Sequence, residues 1–289
     1  MMQRWSFRLA LGFLLTLAVL AALAPWLPLA DPSAIDPDAR LQAPAWIDGP
    51  VLGTDAKGRD LLARVIYGAR ISLTVGLLGS LVAILIGLPY GALAGMRGGR
   101  TDRFLMRLAD LFEGIPLAVV IVFLLSVLQA YRGELAAIGL GRIHVFFLAV
   151  GALFWLPTAR IARAEALRLR TMPFVEAAQT AGLGGWGLMR RHYLPNLLPS
   201  ALVMLGLTLP RVVLMEAFLS FLGLGVEAPH VSWGLLAADG LAAMNPLVDS
   251  GWLLGVPAAF LALTLLCLNV LADAARDRLA GRRVRQAGS

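Results

Sequence analysis

Few residues in this sequence have the types and spacing that catalysis requires. His144, His192 and His230 lie far apart, and no His-Glu-x-x-His or Gly-x-Ser-x-Gly pattern is present, so neither a zinc protease nor a serine hydrolase is indicated. The only lysine, Lys57, lies outside any Gly-Lys-Ser/Thr loop of the kind that binds nucleotide phosphates. The only cysteine, Cys267, lies in an apolar run. The sequence therefore predicts no catalytic, metal or cofactor site, and any ATP hydrolysis would belong to another chain.

Residues 172–200 form the one polar loop whose residue pattern predicts secondary structure. Pro173 suits a first helical turn, where its missing N–H costs nothing, and Glu176 lies near the positive end of the helix dipole. Gly182 is predicted to end this helix in a conformation that side chains disfavour. The spacing i, i+3, i+4 and i+7 predicts one small apolar face, made of Phe174, Ala177, Ala178 and Ala181.

A second short helix is predicted over residues 185–194, with Pro195 as its stop, because proline cannot continue a helix. An apolar helix face of small residues can lie in a groove of a partner protein. From spacing alone, a surface helical hairpin between membrane spans is an equal alternative.

The pattern Glu176-Ala177-Ala178, Gly182 and Leu194-Pro195 resembles the EAA loop of binding-protein-dependent ABC importer permeases. Residues 191–196 are similar to the variant of this loop in the peptide and nickel branch. The resemblance implies that residues 172–196, here termed the coupling loop, dock on a separate ATPase subunit. The coupling residues that it implies are Phe174, Glu176, Ala177, Ala178, Ala181, Gly182, Leu194 and Pro195.

Three further segments are similar to the same branch of the family. They are residues 52–73 (LGTDAKGRDLLARVIYGARISL), residues 216–225 (EAFLSFLGLG) with the Ser232-Trp233 pair that follows, and residues 268–273 (LNVLAD). The resemblance extends from Leu52 to Leu279.

The composition indicates a membrane protein, with 59% hydrophobic and 15% charged residues over 289 positions. The basic residues lie in short loops beside apolar runs, so their excess indicates membrane topology and not nucleic-acid binding. We predict a single all-α permease domain with six transmembrane helices. It comprises a first helix (1–30), an external segment (31–70), a core five-helix bundle (71–272) and a cytoplasmic tail (273–289).

Within the external segment, Asp60 is predicted to cap a short helix with an apolar stripe, either on the membrane surface or as a connector. The third span is predicted from about Phe104 to Ala130. On it, Asp110 and Glu113 would pair with Arg107 or lie among lipid headgroups.

Six spans place both termini on one side of the membrane. That side carries 17 lysine and arginine residues and the other side 7, so the positive-inside rule predicts cytoplasmic termini and a cytoplasmic coupling loop. The first helix taken alone favours the reverse orientation.

Two groups of residues inside the predicted spans have unusual types. Gly87, Gly91 and Gly95 recur every four residues and predict that another helix packs closely there. Arg211 lies midway along the fifth span, where facing lipid would be costly. It is expected either to pair with an acid, from Glu216, Asp110 or Glu113, or to line a translocation path together with Glu216.

The resemblance implies the permease subunit of an ABC importer in the bacterial inner membrane, without enzymatic activity of its own. Its implied partners are a homologous second permease, two cytoplasmic ATPase subunits and an extracytoplasmic binding protein, with peptides, nickel or other small solutes as substrate. The alternatives are an ion-coupled secondary transporter, for which no paired broken helices are visible, and an intramembrane enzyme.

Overall fold

The protein is all-helical over the residues that the computed structural model describes, which are 2–45, 47, 49–114, 116–137, 142–227, 229–244 and 250–287. Its α-helices are α1 (Met2–Leu23), α2 (Leu61–Arg97), α3 (Gly99–Glu113), α4 (Leu117–Ala130), α5 (Arg132–Ala137), α6 (Arg142–Leu153), α7 (Trp155–Arg170), α8 (Pro173–Thr180), α9 (Gly185–Leu188), α10 (Leu194–Phe221), α11 (Trp233–Ala243) and α12 (Trp252–Ala287).

Four helical segments of the described chain are long and apolar enough to cross a membrane: Trp5–Trp26, Leu61–Arg97, Gly185–Phe221 and Trp252–Asp277. A fifth arises if Phe146–Leu153 and Trp155–Arg170, which are bent by 42° at residue 154, act as one span. The all-helical membrane fold is therefore confirmed, and the number of spans is four or five by length and composition.

The predicted third span is divided into α3 and α4. Gly114 follows α3, and Pro116 has no N–H to donate to the carbonyl of Phe112, so the helical ladder breaks between the two helices. Asp110 and Glu113 do not form the ion pair with Arg107 that was one of the two predicted arrangements. Both bind the guanidinium of Arg160 on α7, with 2.8 Å between Arg160 Nη2 and Asp110 Oδ1.

The short helix predicted before residue 70 and the second span are one continuous helix, α2. Its capping residue is the predicted one, because Asp60 Oδ1 accepts a hydrogen bond from the N–H of Ala63 at 2.7 Å. The helix then continues for 37 residues, through Pro89, to Arg97.

The chain divides into two compact units. The first comprises residues 1–76 and 213–271, and its core surrounds Trp233, which is fully buried and donates from Nε1 to the carbonyl of Val65 at 3.1 Å. The second comprises residues 77–212 and 272–289. Its core joins α2, α7 and α10 to the coupling loop through Leu88, Ala92, Ala162, Ala166, Leu169, Val175, Leu188, Met189, Tyr193, Leu197, Ala201 and Met204.

Within the second unit, α7 lies against the glycines of α2. A Cβ atom built on Gly87 would come 2.5 Å from the carbonyl oxygen of Trp155, one on Gly91 2.0 Å from that of Ala159, and one on Gly95 2.6 Å from that of Arg163. Both series advance by four residues per contact, so the two helices run parallel in chain direction. Only glycine permits this backbone approach.

We expect Gly91→Leu to prevent folding of the bundle, because even a Cβ atom would overlap the backbone of α7. The measurement is the yield of monodisperse protein after detergent extraction. Gly255→Leu is the matched control, since no atom of the described residues, apart from the neighbouring backbone of its own helix, lies within 4 Å of a Cβ at Gly255. A stable, monodisperse Gly91→Leu protein would contradict the close packing of α7 on the glycines of α2.

Candidate functional site

The first helix of the coupling loop has the predicted boundaries. Helix α8 begins at Pro173, and Gly182 follows it with φ of +84°. The N–H of Leu183 donates to the carbonyl of Ala178 at 3.0 Å and that of Gly182 to Gln179 at 2.9 Å. This pair of bonds is the Schellman motif, which requires a residue with positive φ at the position of Gly182.

Helix α8 is amphipathic, but its faces differ from the predicted ones in one residue. Val175 is fully buried, and Ala178, predicted on the exposed face, packs partly buried against the same core. The exposed face consists of Phe174, which is 41% exposed, with Ala177 and Ala181 one and two turns further on. Glu176 is exposed beside this face.

The second half of the coupling loop does not stop at Pro195. Helix α9 passes through a π-turn at Met189–Tyr193 directly into α10, so Pro195 lies inside a continuous helical run, directly after the π-turn, and does not end it. The π-turn places Met189 and Tyr193 in the core, and Leu194 packs against it. Pro195 itself is exposed.

Trp186 is an exposed aromatic residue that the sequence reasoning did not single out. Its side chain is 75% exposed and belongs to the four-residue helix α9. Nearby in sequence, the ring of His192 lies 6.0 Å from that of Phe174, which joins the two halves of the loop. The sequence feature that could have identified Trp186 is the presence of a tryptophan between two glycines in a polar loop.

The helix that leads into the coupling loop is held by ion pairs. Arg163 on α7 forms a bidentate pair with the nearly buried Asp102 on α3, with 2.6 Å from Nη2 to Oδ2. Arg160 binds Asp110 and Glu113 one turn earlier. These pairs attach α3 to α7, the helix that ends shortly before Pro173.

Arg211 and Glu216 occupy different environments. Arg211 is exposed and forms no ion pair with any residue in the described part of the chain. Glu216 is fully buried, and its carboxyl accepts hydrogen bonds from the hydroxyls of Ser72 at 2.9 Å and Ser220 at 2.7 Å. The acids predicted as partners of Arg211 are thus bound elsewhere, Glu216 by serines and Asp110 and Glu113 by Arg160.

The serines around Glu216 also hold the backbone that follows α10. Ser220 Oγ accepts from the N–H of Val226 at 3.1 Å, and Ser72 Oγ accepts from the N–H of Trp233 at 3.4 Å. Segment 216–225 is therefore a folding motif in which one buried carboxyl joins α2, α10 and the start of α11.

A second buried polar cluster lies at the first turn of α2. Arg64 is 2% exposed, and it binds Asp55 Oδ2 from Nη1 at 2.5 Å and Asp239 Oδ2 from Nη2 at 3.1 Å. Arg59 binds Asp55 Oδ2 from Nε at 2.7 Å. The cluster attaches the turn before α2 to α11.

The Asp55 carboxyl has a lowered pKa. Burial by itself would raise the pKa, but hydrogen bonds from the backbone N–H groups of Arg59 and Lys57 and the charge of Arg64 outweigh that effect. The pKa of Asp55 therefore lies below the ordinary aspartate value of 3.8.

In the described residues, no group of three or more His, Cys, Asp or Glu side chains could hold a metal ion.

Comparison with known proteins finds relatives over most of the chain. Residues 87–285 match the family model described as binding-protein-dependent transport system inner membrane component. The oligopeptide transport system permease protein OppC of Haemophilus influenzae is 42% identical over 227 residues, 78% of this chain and 68% of the relative. The Escherichia coli K12 OppC is 38% identical over 266 residues, 92% of this chain and 83% of the relative.

The dipeptide transport system permease protein DppC of Bacillus subtilis is 40% identical over 229 residues, 78% of this chain and 67% of the relative. Among solved structures, the fold is similar to a chain of the MetNI methionine ABC transporter in an inward-facing conformation. The TM-score is 0.55 at 17% identity, over 75% of this chain and 97% of that chain. At this identity the structural similarity concerns the fold alone.

We expect Asp55→Asn to lower the free energy of unfolding by about 3 kcal/mol at neutral pH, because it leaves the buried Arg64 short of a countercharge. Since the folded-state pKa of Asp55 is lowered, its stabilisation is complete above pH 3.8 and is lost as the pH falls through the folded-state value. The difference between variant and wild type should therefore shrink in acid.

The measurement is the thermal unfolding midpoint in detergent as a function of pH. Asp38→Asn is the control, because Asp38 is an exposed aspartate of the same segment. A difference between Asp55→Asn and wild type that persists unchanged well below pH 3.8 would show that the carboxylate charge does not stabilise the cluster.

Proposed function

The chain belongs to the family of binding-protein-dependent transport system inner membrane components, and we propose that its coupling loop transmits ATP-driven movement to its transmembrane helices. The protein is the permease subunit of an ABC importer in the inner membrane and is not an enzyme. We propose that its ATPase is a separate subunit and that a second, homologous permease completes the membrane domain.

The observation that carries the coupling role is the two-sided construction of α8. Val175 and Ala178 anchor the helix on the core that contains α2, α7 and α10. Phe174, Ala177 and Ala181 stay exposed on the neighbouring face, about a quarter turn around the helix, and the Schellman motif at Gly182 sets the direction of the chain toward Trp186. A helix anchored in this way moves with the bundle while its exposed face lies in a groove of the ATPase.

The proposed topology has six spans with both termini in the cytoplasm. In it, α3 with α4 is the third span, broken at residues 114–116, and α6 with α7 is the fourth. The parallel course of α2 and α7 supports this assignment, because it places the Arg97 turn and the coupling loop at the same end of the two helices. Both belong to the side that carries 17 basic residues.

The proposed substrates are peptides, delivered by an extracytoplasmic binding protein to a complex of two permeases and two ATPase subunits. The relatives named as oligopeptide and dipeptide permeases support this class over nickel. Closure of the ATPases would move the coupling loops and expose the path alternately to each side. Family membership also disfavours an ion-coupled secondary transporter working alone.

For the coupling loop, we expect Gly182→Val to reduce association with the ATPase, because a β-branched residue at φ of +84° costs about 1 kcal/mol or more. Ala177→Trp should have the same effect by enlarging the exposed face. Copurification of the ATPase and transport in vesicles measure both. Gly184→Val is the matched control, since Gly184 has the extended backbone angles φ −66° and ψ 163° that valine adopts.

If Gly182→Val and Ala177→Trp both assemble and transport like wild type, the assignment of the coupling loop is wrong. The comparison with Gly184→Val separates a backbone effect at Gly182 from general sensitivity of the loop to added bulk.

For Arg211, we propose that its guanidinium lines the translocation path and attracts a carboxylate of the substrate. Its exposure and its lack of a described ion-pair partner support this role over a structural one. We expect Arg211→Gln to assemble normally and to transport anionic peptides more slowly than neutral ones. Leu214→Gln, at another exposed position of α10, is the control.

The role of Arg211 can also be tested by thiol labelling. Arg211→Cys is introduced after Cys267→Ser removes the only native cysteine. Failure of a membrane-impermeant thiol reagent to reach position 211 in any state of the transport cycle would eliminate the path-lining role.

A further inference from the structure

The turn before α2 and the helix α11 line a half-open cavity of about 240 Å³ to which neither the coupling loop nor Arg211 contributes a residue. Its walls are the turn residues 55–59, the first turn of α2, α11 and the start of α12. Helix α11 is tightly seated there, because a Cβ atom on Gly240 would come 2.5 Å from the carbonyl oxygen of Leu253. The cavity is therefore preformed within the first unit.

The charges that line the cavity do not cancel. Lys57, Arg59 and Arg64 contribute three cations, and Asp55 and Asp239 contribute two carboxylates. Asp55 is fully engaged, since its two oxygens accept from both arginines and from the backbone N–H groups of residues 57 and 59. One positive charge is left in excess.

One of these cations has unused hydrogen-bonding capacity at the cavity, because the Arg64 guanidinium is 98% buried and already binds Asp55 and Asp239. Lys57 is exposed at the cavity and forms no ion pair within the described part of the chain. An exposed ammonium without an ion-pair partner, beside an excess of positive charge, favours an additional acceptor that carries negative charge.

The size and the apolar walls of the cavity define the shape of that acceptor. Leu61, Leu236 and Leu253 line it beside the cations. A carboxylate on a short aliphatic stem matches this combination. At 240 Å³ the cavity is smaller than the sites of whole small-molecule ligands, which occupy about 300–1,000 Å³, so one side chain fits and an oligopeptide does not.

We propose that this cavity receives an aspartate or glutamate side chain of the extracytoplasmic binding protein when it docks on the permease. The inference rests on the proposed topology, which places the beginning of α2 on the extracytoplasmic side and its end at the cytoplasmic Arg97 turn. Lys57, at the rim, attracts the carboxylate during encounter, and the two arginines form the floor.

The test uses the complete transporter, reconstituted in lipid nanodiscs with its partner permease and ATPases, and its labelled, peptide-loaded binding protein. Equilibrium and stopped-flow fluorescence give the Kd and the association rate. We expect Lys57→Glu to weaken binding about fivefold or more, mainly by slowing association, and to reduce its salt dependence. Lys57→Gln should have a smaller effect, and Lys57→Arg should remain within about twofold of wild type.

The matched control is Arg40→Glu, which reverses the charge of another exposed residue of the same segment outside the cavity. If Arg40→Glu weakens binding as much as Lys57→Glu, the effect is general electrostatic attraction and the site is not specific. As a positive identification, one Asp→Lys or Glu→Lys substitution on the binding protein should restore affinity for the Lys57→Glu transporter.

Two further outcomes would overturn the proposal. Unchanged affinity of Lys57→Glu, in a transporter that assembles and transports, contradicts the docking site and leaves the permease function intact. If Lys57→Gln keeps its affinity but no longer prefers peptides with a free C-terminal carboxylate over amidated ones, the cavity binds the substrate instead. Failure of the wild-type chain to assemble with an ATPase would contradict the proposed function itself.

Discussion

The close approach of α2 and α7 is the constraint on which the second unit depends. Gly87, Gly91 and Gly95 bring the two backbones into contact over two helical turns, and α6 makes a similar contact with α2 at Gly151, whose Cβ would lie 2.6 Å from the carbonyl oxygen of Gly79. In a bilayer, lipid chains are as apolar as the helices, so van der Waals contact between backbones must supply the association that water drives in soluble proteins. This seam sets the direction of α7, and with it the place where α8 begins.

Several charged residues within the described part of the bundle have a partner on another element or one turn away. Arg160 and Arg163 take their carboxylates from α3, and Glu216 takes two serine hydroxyls. An unpaired charge in this environment is costly, so such groups either join elements or face water. Arg211 is exposed and has no described ion-pair partner, which is why we propose that it lines the translocation path.

The coupling loop combines rigidity with an exposed surface. The π-turn at Met189–Tyr193 and the buried Val175 attach it to α10 and to the core at two points. Phe174 and Trp186 remain exposed at 41% and 75%. In the proposed coupling role, attachment at two points would let the loop transmit force, and the exposed aromatic residues would supply contact area for the ATPase. The cavity at Arg64, in the first unit, also combines a buried ion-pair cluster with an exposed side chain, that of Lys57.

The sequence alone determined the features that depend on neighbouring residues. Asp60 as a cap, Pro173 as the first residue of α8 and the positive φ of Gly182 each follow from interactions within a few positions. Family membership followed in the same way, from motifs with fixed spacing.

The tertiary structure decided what depends on residues far apart in the chain. Ser72 is 144 positions from Glu216 and Arg160 is 50 from Asp110, so local spacing assigned neither pair correctly. Ala178 turned toward the core, and Pro195 entered α10 instead of ending a helix, because burial of Val175, Met189 and Tyr193 outweighed local preference. Helical periodicity defines a face, but only the packing of the other helices determines which face is buried.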